Sequence, residues 1–308
     1  MATPTLIDLQ HLGQPHVLAV YLIWEPELAL VDCGPSSCVD TLRSALGRLG
    51  VTFGDLRHLL LTHVHLDHAG AAGALVAESP ELQIHVSQLG ARHVVDPRRL
   101  ERSARRLFGA DFDRLWGAVT PVPSENVRVL GGRPAGLDWF PTPGHATHHA
   151  SFLSPDGSCF SGDVTGVRIA PASYVAPATP PPDIDLAAYE RSLTSIEARA
   201  PARLCLPHFG IVDDPGAHLE RMREGLGRWA GWVRDGADEA AFLAAAQAEL
   251  VGLEPTVVRA LEAAAPFPPS YVGLKRYWQS RGAGPSAQPA RGRDSRPDRT
   301  PAAVRRRV

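Results

Sequence analysis

Short apolar segments and helical repeats alternate along the first two thirds of the chain. Apolar runs bounded by glycine, proline and aspartate predict β-strands at residues 6–9, 17–24, 28–31, 56–61, 83–86, 127–130, 137–141, 150–153, 158–161 and 204–206. Apolar residues at helical spacing predict helices at residues 38–49, 69–77 and 185–199. Strands that alternate with helices are typical of an α/β fold.

An arginine-rich segment interrupts this alternation at residues 89–119. Its arginines are interleaved with leucine, phenylalanine and tryptophan, which predicts one or two amphipathic helices inserted between strands. Two interpretations fit this pattern. The segment is either a solvated insertion with one buried face or a lid over a functional site.

The last third of the chain is helical in pattern and then loses its large apolar residues. Helices are predicted at residues 215–234, 239–250, 255–264 and 270–279. The tail at 280–308 buries too little apolar surface to offset the entropy of ordering it, so we predict that it is disordered. The sequence thus predicts three regions: an α/β domain at 1–213, a helical domain at 214–279 and the tail.

Composition and charge narrow the classes of partner. Of the 308 residues, 44% are hydrophobic and 21% are charged, which is ordinary for a protein with a buried core. The net charge is −2, but residues 279–308 hold eight arginines and two aspartates, so the rest of the chain carries about −8. An acidic body argues against nucleic acid as the main ligand.

The cysteines and the N-terminus bear on where the protein works. None of the four cysteines, Cys33, Cys38, Cys159 and Cys205, forms a CxxC pair, and we expect free thiols in a reducing compartment. The chain does not begin with a cationic segment followed by an apolar one, and no apolar run reaches the ~18 residues of a membrane span. We therefore expect a cytoplasmic protein that does not bind membranes.

Three histidines and an aspartate fall within six residues, directly after the apolar run 59–61. They are His63, His65, Asp67 and His68. Imidazole and carboxylate groups are ligands that zinc, iron and manganese accept in proteins. Four such groups at the end of a buried strand predict a metal site, and they are numerous enough to serve two ions.

Four further residues stand where a predicted strand runs out into a loop: Asp32, His145, Asp163 and His208. In an α/β sandwich such strand ends gather at one edge of the sheets, where ligands bind. We therefore expect these side chains to lie close to the histidine cluster.

In this ordered set the chain resembles the metallo-β-lactamase superfamily over about residues 5–212. The resemblance implies that the domain at 1–213 is a four-layer αββα sandwich, with the C-terminal helices as an extension. It also implies these roles: His63, His65 and His145 as ligands of a first metal ion, Asp67, His68 and His208 as ligands of a second, Asp163 as a bridge between the ions, and Asp32 as a carboxylate behind the ligands.

The chemistry expected of such a site follows from charge. We expect two divalent ions, with zinc as the first choice and iron or manganese as alternatives. Two ions can share a water molecule and lower its pKa toward ~7. The resulting bridging hydroxide would attack an electrophilic carbonyl or phosphoryl centre, while an ion polarises the attacked oxygen. Asp67 would also orient this nucleophile, which makes it a predicted catalytic residue.

The resemblance leaves the reaction open among three classes, and a redox or sensor protein with no hydrolytic role is a further alternative. A complete two-metal set followed by helices is similar to glyoxalase II, which implies hydrolysis of a thioester, ester or lactone, although residues 164–168 differ from the loop of that family. An oxidoreductase similar to the persulfide dioxygenases, with one iron ion, is an alternative that uses fewer ligands than this chain carries. A metal-dependent phosphodiesterase or nuclease is the other alternative, and it would need a basic groove.

The substrate pocket is predicted more loosely. His93 on the insertion and Arg168 on the loop after Asp163 are candidate substrate-binding residues, and Tyr174 is a candidate catalytic donor to an oxyanion or leaving group. His149 is predicted to support the metal ligands from behind. The expected partner is a small-molecule substrate, and the aromatic C-terminal helices offer one candidate face for a homodimer.

Overall fold

Two mixed β-sheets form the centre of the protein, for which a computed structural model describes residues 3–282. The first sheet has six strands in chain order: β1 (Thr5–Asp8), β2 (Ala19–Ile23), β3 (Ala29–Val31), β4 (His58–Leu60), β5 (Gln83–Val86) and β6 (Val127–Val129). The second sheet comprises β7 (Asp138–Pro141), β8 (Ala150–Leu153), β9 (Ser158–Phe160), β10 (Arg203–Leu206) and β11 (Gly210–Val212), in the order β11-β10-β9-β8-β7. Neighbours from β3 to β6 are parallel, as are β9 and β10, and the other neighbours are antiparallel.

Helices cover the outer faces of both sheets and form the C-terminal part. They are α1 (Val39–Arg48), α2 (Leu66–Ala69), α3 (Ala72–Glu78), α4 (Gln88–Val95), α5 (Arg98–Phe108), α6 (Phe112–Trp116), α7 (Leu186–Glu197), α8 (Pro215–Arg234), α9 (Glu239–Ala248), α10 (Pro255–Ala264) and α11 (Phe267–Ser280). Among the described residues, no helix is both long enough and apolar enough to span a membrane.

Alternation of side chains along the strands divides the apolar core into layers. Between the sheets lies a cluster that includes Tyr21, Val31 and Leu60 of the first sheet and Phe152 and Phe160 of the second. Leu22 and Leu30 instead join a cluster with Leu42 and Leu46 of α1, and Leu204 and Leu206 join one with Leu193 of α7 and Met222 of α8. This order of helix, sheet, sheet and helix confirms the predicted four-layer αββα sandwich.

The described elements differ from the predicted ones in three places. The predicted helix at 69–77 is two helices, and the first of them begins at Leu66, inside the histidine cluster. The insertion holds three helices rather than one or two, because Pro97 directly precedes α5 and Gly109, with φ +53°, directly follows it. Strand β11 was not predicted, since it has only three residues and Ile211 at its centre is exposed.

The C-terminal helices α8 to α11 pack on the sandwich. Trp229, Phe242 and Leu274 of these helices belong to the same apolar cluster as the residues of α1. Helix α8 begins at Pro215, next to the predicted boundary at 214, but the shared core leaves the division into two domains a prediction. Of the predicted tail, residues 283–308 lie outside the described part of the chain.

Candidate metal centre

The candidate ligands lie at the carboxyl ends of strands that run in the same direction. Strands β3 and β4 are parallel, and so are β9 and β10. Strand β7 also runs parallel to β9, because both are antiparallel to β8. The backbone N–H of Ala150 donates to the Thr62 carbonyl (2.8 Å) and thereby joins the two sheets at this edge. The predicted ligands are therefore brought to one place from both sheets.

A first group consists of His63, His65 and His145, whose ligand atoms all lie within 4.8 Å of one another. The Nδ1 atom of His65 is 3.0 Å from Nε2 of His63 and 2.9 Å from Nε2 of His145. Nitrogen ligands about 2 Å from a tetrahedral zinc ion lie roughly 3.3 Å apart, so this spacing is near that of a metal site. Asp163 Oδ2 approaches the same group, at 3.5 Å from His145 Nε2.

A second group consists of Asp67, His68, Asp163 and His208, again within 4.8 Å. Asp163 Oδ1 is 3.2 Å from His68 Nε2 and 3.5 Å from His208 Nε2. Asp67 Oδ2 is 3.6 Å from His68 Nε2 and 3.5 Å from His208 Nε2. The two oxygens of Asp163 thus face different groups, which is the position that the sequence predicted for a bridging ligand.

Three atoms of the second group are placed to bind a metal ion but not to form hydrogen bonds with one another. His68 Nε2, His208 Nε2 and Asp163 Oδ1 are buried, and among the described residues none has a hydrogen-bond partner of acceptable geometry. Buried polar atoms are rarely left without a partner, because that costs the desolvation of the atom. A cation accepting their lone pairs would remove this cost.

Four imidazoles are each held by a hydrogen bond on the side that faces away from the groups. The Nδ1 atom donates to Asp32 in His68 (2.9 Å), to the Thr62 hydroxyl in His63 (3.1 Å), to the Ala178 carbonyl in His145 (2.8 Å) and to the Val17 carbonyl in His208 (2.9 Å). A proton on Nδ1 leaves the lone pair of the neutral ring on Nε2, which faces the groups.

Asp32 lies where the sequence predicted a supporting carboxylate. It accepts hydrogen bonds from the Thr62 backbone N–H and hydroxyl (both 2.8 Å) as well as from His68. Its φ of +57° is the left-handed conformation, in which aspartate is one of the few non-glycine residues found often.

His149 supports Asp163 rather than a metal group. Its Nε2 accepts the backbone N–H of Asp163 (3.1 Å), so its Nδ1 carries the proton and donates to the Thr142 hydroxyl (2.8 Å). Gly162 packs so closely on this ring that a methyl group there would overlap His149 Nε2. The ring thus helps to set the position of the Asp163 carboxylate through the Asp163 backbone.

The charges of the two groups differ. Burial opposes the charged form of His68, but the carboxylates of Asp163 and Asp67 outweigh it and raise the pKa of His68 well above its usual value. In the first group, burial lowers the pKa of His63 and of His65 well below the usual value, which leaves both rings neutral. The carboxylates thus favour a positive charge at the second group, where a cation and a proton would compete.

Two predicted pocket residues make their polar contacts elsewhere. The Tyr174 hydroxyl donates to Glu249 (2.8 Å), and the Arg168 guanidinium donates to Asp214 (2.9 Å). Neither side chain has a described contact with the two metal-ligand groups. The geometry therefore gives no support to a catalytic Tyr174 or a substrate-binding Arg168, whose side chains instead anchor loops.

His93 is separated from the first group by one ring, that of His148. Its ring is 6.3 Å from that of His148, which is 5.8 Å from that of His65. A small cleft here is lined by the turn after β4 and by the insertion, including Val64, Leu66, His93, Leu100 and Thr120. The insertion therefore borders the candidate site, which is the position that the lid interpretation requires.

Several residues of this site were missed from the sequence. His148 Nδ1 accepts the Val64 backbone N–H (3.4 Å), and Thr142 continues the hydrogen-bond chain from His149 to Ser151 (2.8 Å). Their proximity to His145 and His149 in the sequence was the available signal. The Ala178 and Val17 carbonyls had none, because any residue type supplies a backbone carbonyl.

Comparison with known proteins identifies a family. Residues 15–208 match the family model described as Metallo-beta-lactamase superfamily. The metallo-beta-lactamase fold-containing protein ST1585 of Sulfurisphaera tokodaii is 28% identical over 223 residues, which are 68% of this chain and 79% of that protein. Its crystal structure, at 22% identity over the aligned structures, has a TM-score of 0.65 and covers 89% of this chain and 99% of that one.

Two further relatives bear on metals and chemistry. The crystal structure of TTHA1623 in a di-iron-bound form has a TM-score of 0.51 and 22% identity, covering 71% of this chain and 96% of that one. A protein of Mycobacterium bovis with the name "Probable metallo-hydrolase Mb2322c" is 27% identical over 124 residues, which are 36% of this chain and 37% of that protein.

Proposed function

Because the chain belongs to the metallo-beta-lactamase superfamily and carries a His/Asp motif for a binuclear metal site, we propose that it hydrolyses a thioester, ester or lactone bond of a small molecule. In this proposal it is a metal-dependent hydrolase of the glyoxalase II-like branch. The C-terminal helices that follow the metal-binding region support that branch.

The second ligand group carries the proposal. Its three buried atoms without hydrogen-bond partners, His68 Nε2, His208 Nε2 and Asp163 Oδ1, would all bind a second cation. A dioxygenase with a single iron ion would leave these atoms without a function. Two bound divalent ions would supply an activated water at neutral pH and would polarise the carbonyl oxygen of the substrate.

The residues around the ions have distinct tasks in this proposal. Asp67 has 21% of its side chain exposed, whereas the other carboxylate of the group, Asp163, has 6%. Asp67 is therefore the carboxylate that reaches toward the substrate, where it would orient the attacking water and accept its proton. Asp32 and His149 keep the ligand rings and the Asp163 backbone in place.

The surroundings of the first group favour a carbonyl substrate over a phosphodiester. Burial lowers the pKa of His148 to about 3 and also lowers that of His93, so both rings are neutral at pH 7. The Arg168 guanidinium is held by Asp214. A body with a charge of about −8 also repels a polyanion. These features suit a small substrate with little negative charge.

Metal analysis of the purified protein is the first experiment. We expect about two divalent ions per chain, with zinc favoured by the nitrogen and oxygen ligands and iron as the alternative that the di-iron TTHA1623 structure suggests. About one iron ion and no second ion, in protein loaded with excess metal, would contradict the hydrolase and favour the dioxygenase alternative.

A substrate panel with thioesters, lactones, carboxylic esters and phosphodiesters tests the reaction class. We expect metal-dependent turnover of at least one carbonyl substrate and loss of that turnover after chelation. Cleavage of phosphodiesters alone, weakening as salt is raised, would replace the proposal by the nuclease alternative.

A further inference from the structure

We infer that the C-terminal helices position the metal ligand His145, through the loop at 174–180 whose Ala178 carbonyl holds its imidazole. The inference uses the metal site of the proposed function but does not depend on the substrate. It gives the C-terminal helices a role in the metal site itself, in addition to covering the sandwich.

The first link runs from His145 to the loop. The Nδ1–H of His145 donates to the Ala178 carbonyl (2.8 Å), and the Tyr189 hydroxyl of α7 donates to the same oxygen. This contact fixes both the tautomer and the rotation of the ring, and so it directs Nε2 toward His65 and Asp163. Any movement of the Ala178 carbonyl would therefore move a ligand nitrogen.

The second link runs from the loop to α11. Thr179, the residue next to Ala178, donates its backbone N–H to the Ser270 hydroxyl and its own hydroxyl to the Ser270 carbonyl (both 3.4 Å). One turn further along, Gly273 packs directly on the loop: a methyl group there would overlap the Thr179 carbonyl oxygen and lie 3.0 Å from the Pro180 carbonyl carbon. Helix α11 and the loop are thus packed so closely that a methyl group does not fit between them.

The third link holds the other end of the loop. The Tyr174 hydroxyl donates to Glu249, which also accepts hydrogen bonds from Arg228 (2.7 Å) and Trp229 (3.0 Å). Gly225 of α8 packs against the loop as well, where a methyl group would lie 3.2 Å from the Val175 carbonyl oxygen. The C-terminal helices therefore contact the loop on both sides of Ala178 and hold it by packing and hydrogen bonds.

This arrangement acts most directly on one of the two metal positions. The loop supplies the acceptor for the His145 ring, whereas it reaches His208 only through backbone, where Ala176 pairs with Val167 and the Arg168 N–H donates to the His208 carbonyl (2.9 Å). In the second group, His68 is held by Asp32 and His208 by the Val17 carbonyl, and neither acceptor belongs to the loop. A disturbed contact between α11 and the loop should consequently weaken the first metal position and leave the second nearly unchanged. General destabilisation of the fold would weaken both.

The test compares Gly273→Ala and Ser270→Ala with the matched control Gly227→Ala in full-length protein. Gly227 lies in α8, and a methyl group there would have no neighbouring atom within 4 Å. Each protein is stripped of metal and titrated with Co²⁺ against a competing chromophoric chelator, and the absorption spectrum of bound Co²⁺ is recorded. We expect Gly273→Ala to bind one of two ions about 10- to 100-fold more weakly, as changes behind metal ligands typically do.

Ser270→Ala should act in the same direction but by only several-fold, since it removes the hydrogen bond from the Thr179 N–H to the Ser270 hydroxyl without adding bulk and keeps the Ser270 carbonyl. Gly227→Ala should bind both ions with the affinities and spectrum of the wild type. Equal weakening of both ions, or unchanged affinity in folded Gly273→Ala, would overturn the inference. If Gly273→Ala does not fold, Ser270→Ala decides, because unchanged affinity there would overturn the inference too. A wild type that binds no ion would instead refute the proposed function.

Discussion

Four of the candidate ligand imidazoles each donate a hydrogen bond from Nδ1 to an acceptor outside the two groups. The acceptors are the Asp32 carboxylate, the Thr62 hydroxyl and the carbonyls of Val17 and Ala178. Each acceptor is itself buried in the sandwich or its loops, so the rings are fixed before a metal arrives. Preorganised ligands bind metal more tightly because less conformational entropy is lost on binding.

The first prediction concerns Asp32. In the wild type, both carboxylate oxygens of Asp32 accept hydrogen bonds, from Thr62 and from His68. In Asp32→Asn one of these oxygens becomes an NH2 group, which cannot accept and instead faces other donors. We expect metal affinity at the second group to fall about 10- to 100-fold. The measurement is competition with a chelator, and Asp40→Asn, on a fully exposed side chain of α1, is the control. Equal affinities for the two variants would refute the role of Asp32.

The second prediction concerns Asp67. In Asp67→Asn the side chain keeps its shape but can no longer accept a proton from the attacking water. We expect kcat to fall about 10²- to 10⁴-fold on the best substrate of the panel, while the first metal ion is retained. Kinetics together with metal analysis test this, with Asp111→Asn on the exposed surface of the insertion as the control. Wild-type turnover in Asp67→Asn would remove it from the mechanism.

At the scale of elements, short strands carry the ligands and helices hold the loops between them. Helix α7 presents Tyr189 to the Ala178 carbonyl, and Asp185 caps its start by accepting the Ala188 backbone N–H (3.1 Å). The backbone N–H of Asp185 donates to the carbonyl of Gly144 (3.0 Å), the residue before His145. A single residue therefore connects the start of the helix with the loop that holds a ligand.

The third prediction follows from this cap. Asp185→Ala leaves an N-terminal backbone N–H of α7 without its acceptor, and we expect the free energy of unfolding to fall by about 1 kcal/mol. Asp238→Ala removes the same kind of cap from α9, where Asp238 accepts the Ala241 N–H (2.9 Å), and should cost a similar amount. Urea unfolding measures both. No loss in either variant would mean that these caps do not contribute to stability.

At the scale of the whole molecule, buried neutral histidines make the fold sensitive to acid. His218 of α8 is buried and donates from Nε2 to the Thr165 carbonyl (2.8 Å), and burial lowers its pKa to about 4 from the usual 6.5. The unfolded chain therefore binds a proton between pH 6.5 and pH 4 that the folded chain rejects. Stability from this residue is complete above pH 6.5 and is lost as the pH falls toward 4.

The fourth prediction isolates this effect. Between pH 7 and pH 5, the metal-free wild type should lose about 2 kcal/mol more unfolding free energy than His218→Gln, because glutamine can still donate a hydrogen bond but does not titrate. His68, whose pKa is raised, changes the unfolding free energy with pH in the opposite direction. It is present in both proteins, so its contribution cancels when their losses are subtracted. Urea unfolding at the two pH values measures it. Identical losses in both proteins would contradict the prediction.

From the sequence, the ordered His/Asp set and the family resemblance that it carries predicted the αββα sandwich and seven candidate ligand positions, and the structure confirms the sandwich and brings the seven side chains together. His63, His65, Asp67 and His68 crowd one turn, and strand direction alone brings the others to the same edge. Through the resemblance it also predicted Asp32 as a supporting carboxylate, and the structure places Asp32 in hydrogen-bond contact with His68.

Only the tertiary structure decided which groups support the candidate ligands and where the predicted pocket side chains make their contacts. It placed Tyr174 on Glu249 and Arg168 on Asp214, and it made the Ala178 carbonyl the acceptor for His145. These partners are distant in the chain, and a backbone carbonyl has no residue type that a sequence can reveal. Metal ligands need particular atoms and so leave a pattern in the sequence, whereas their supports need only an oxygen in the right place.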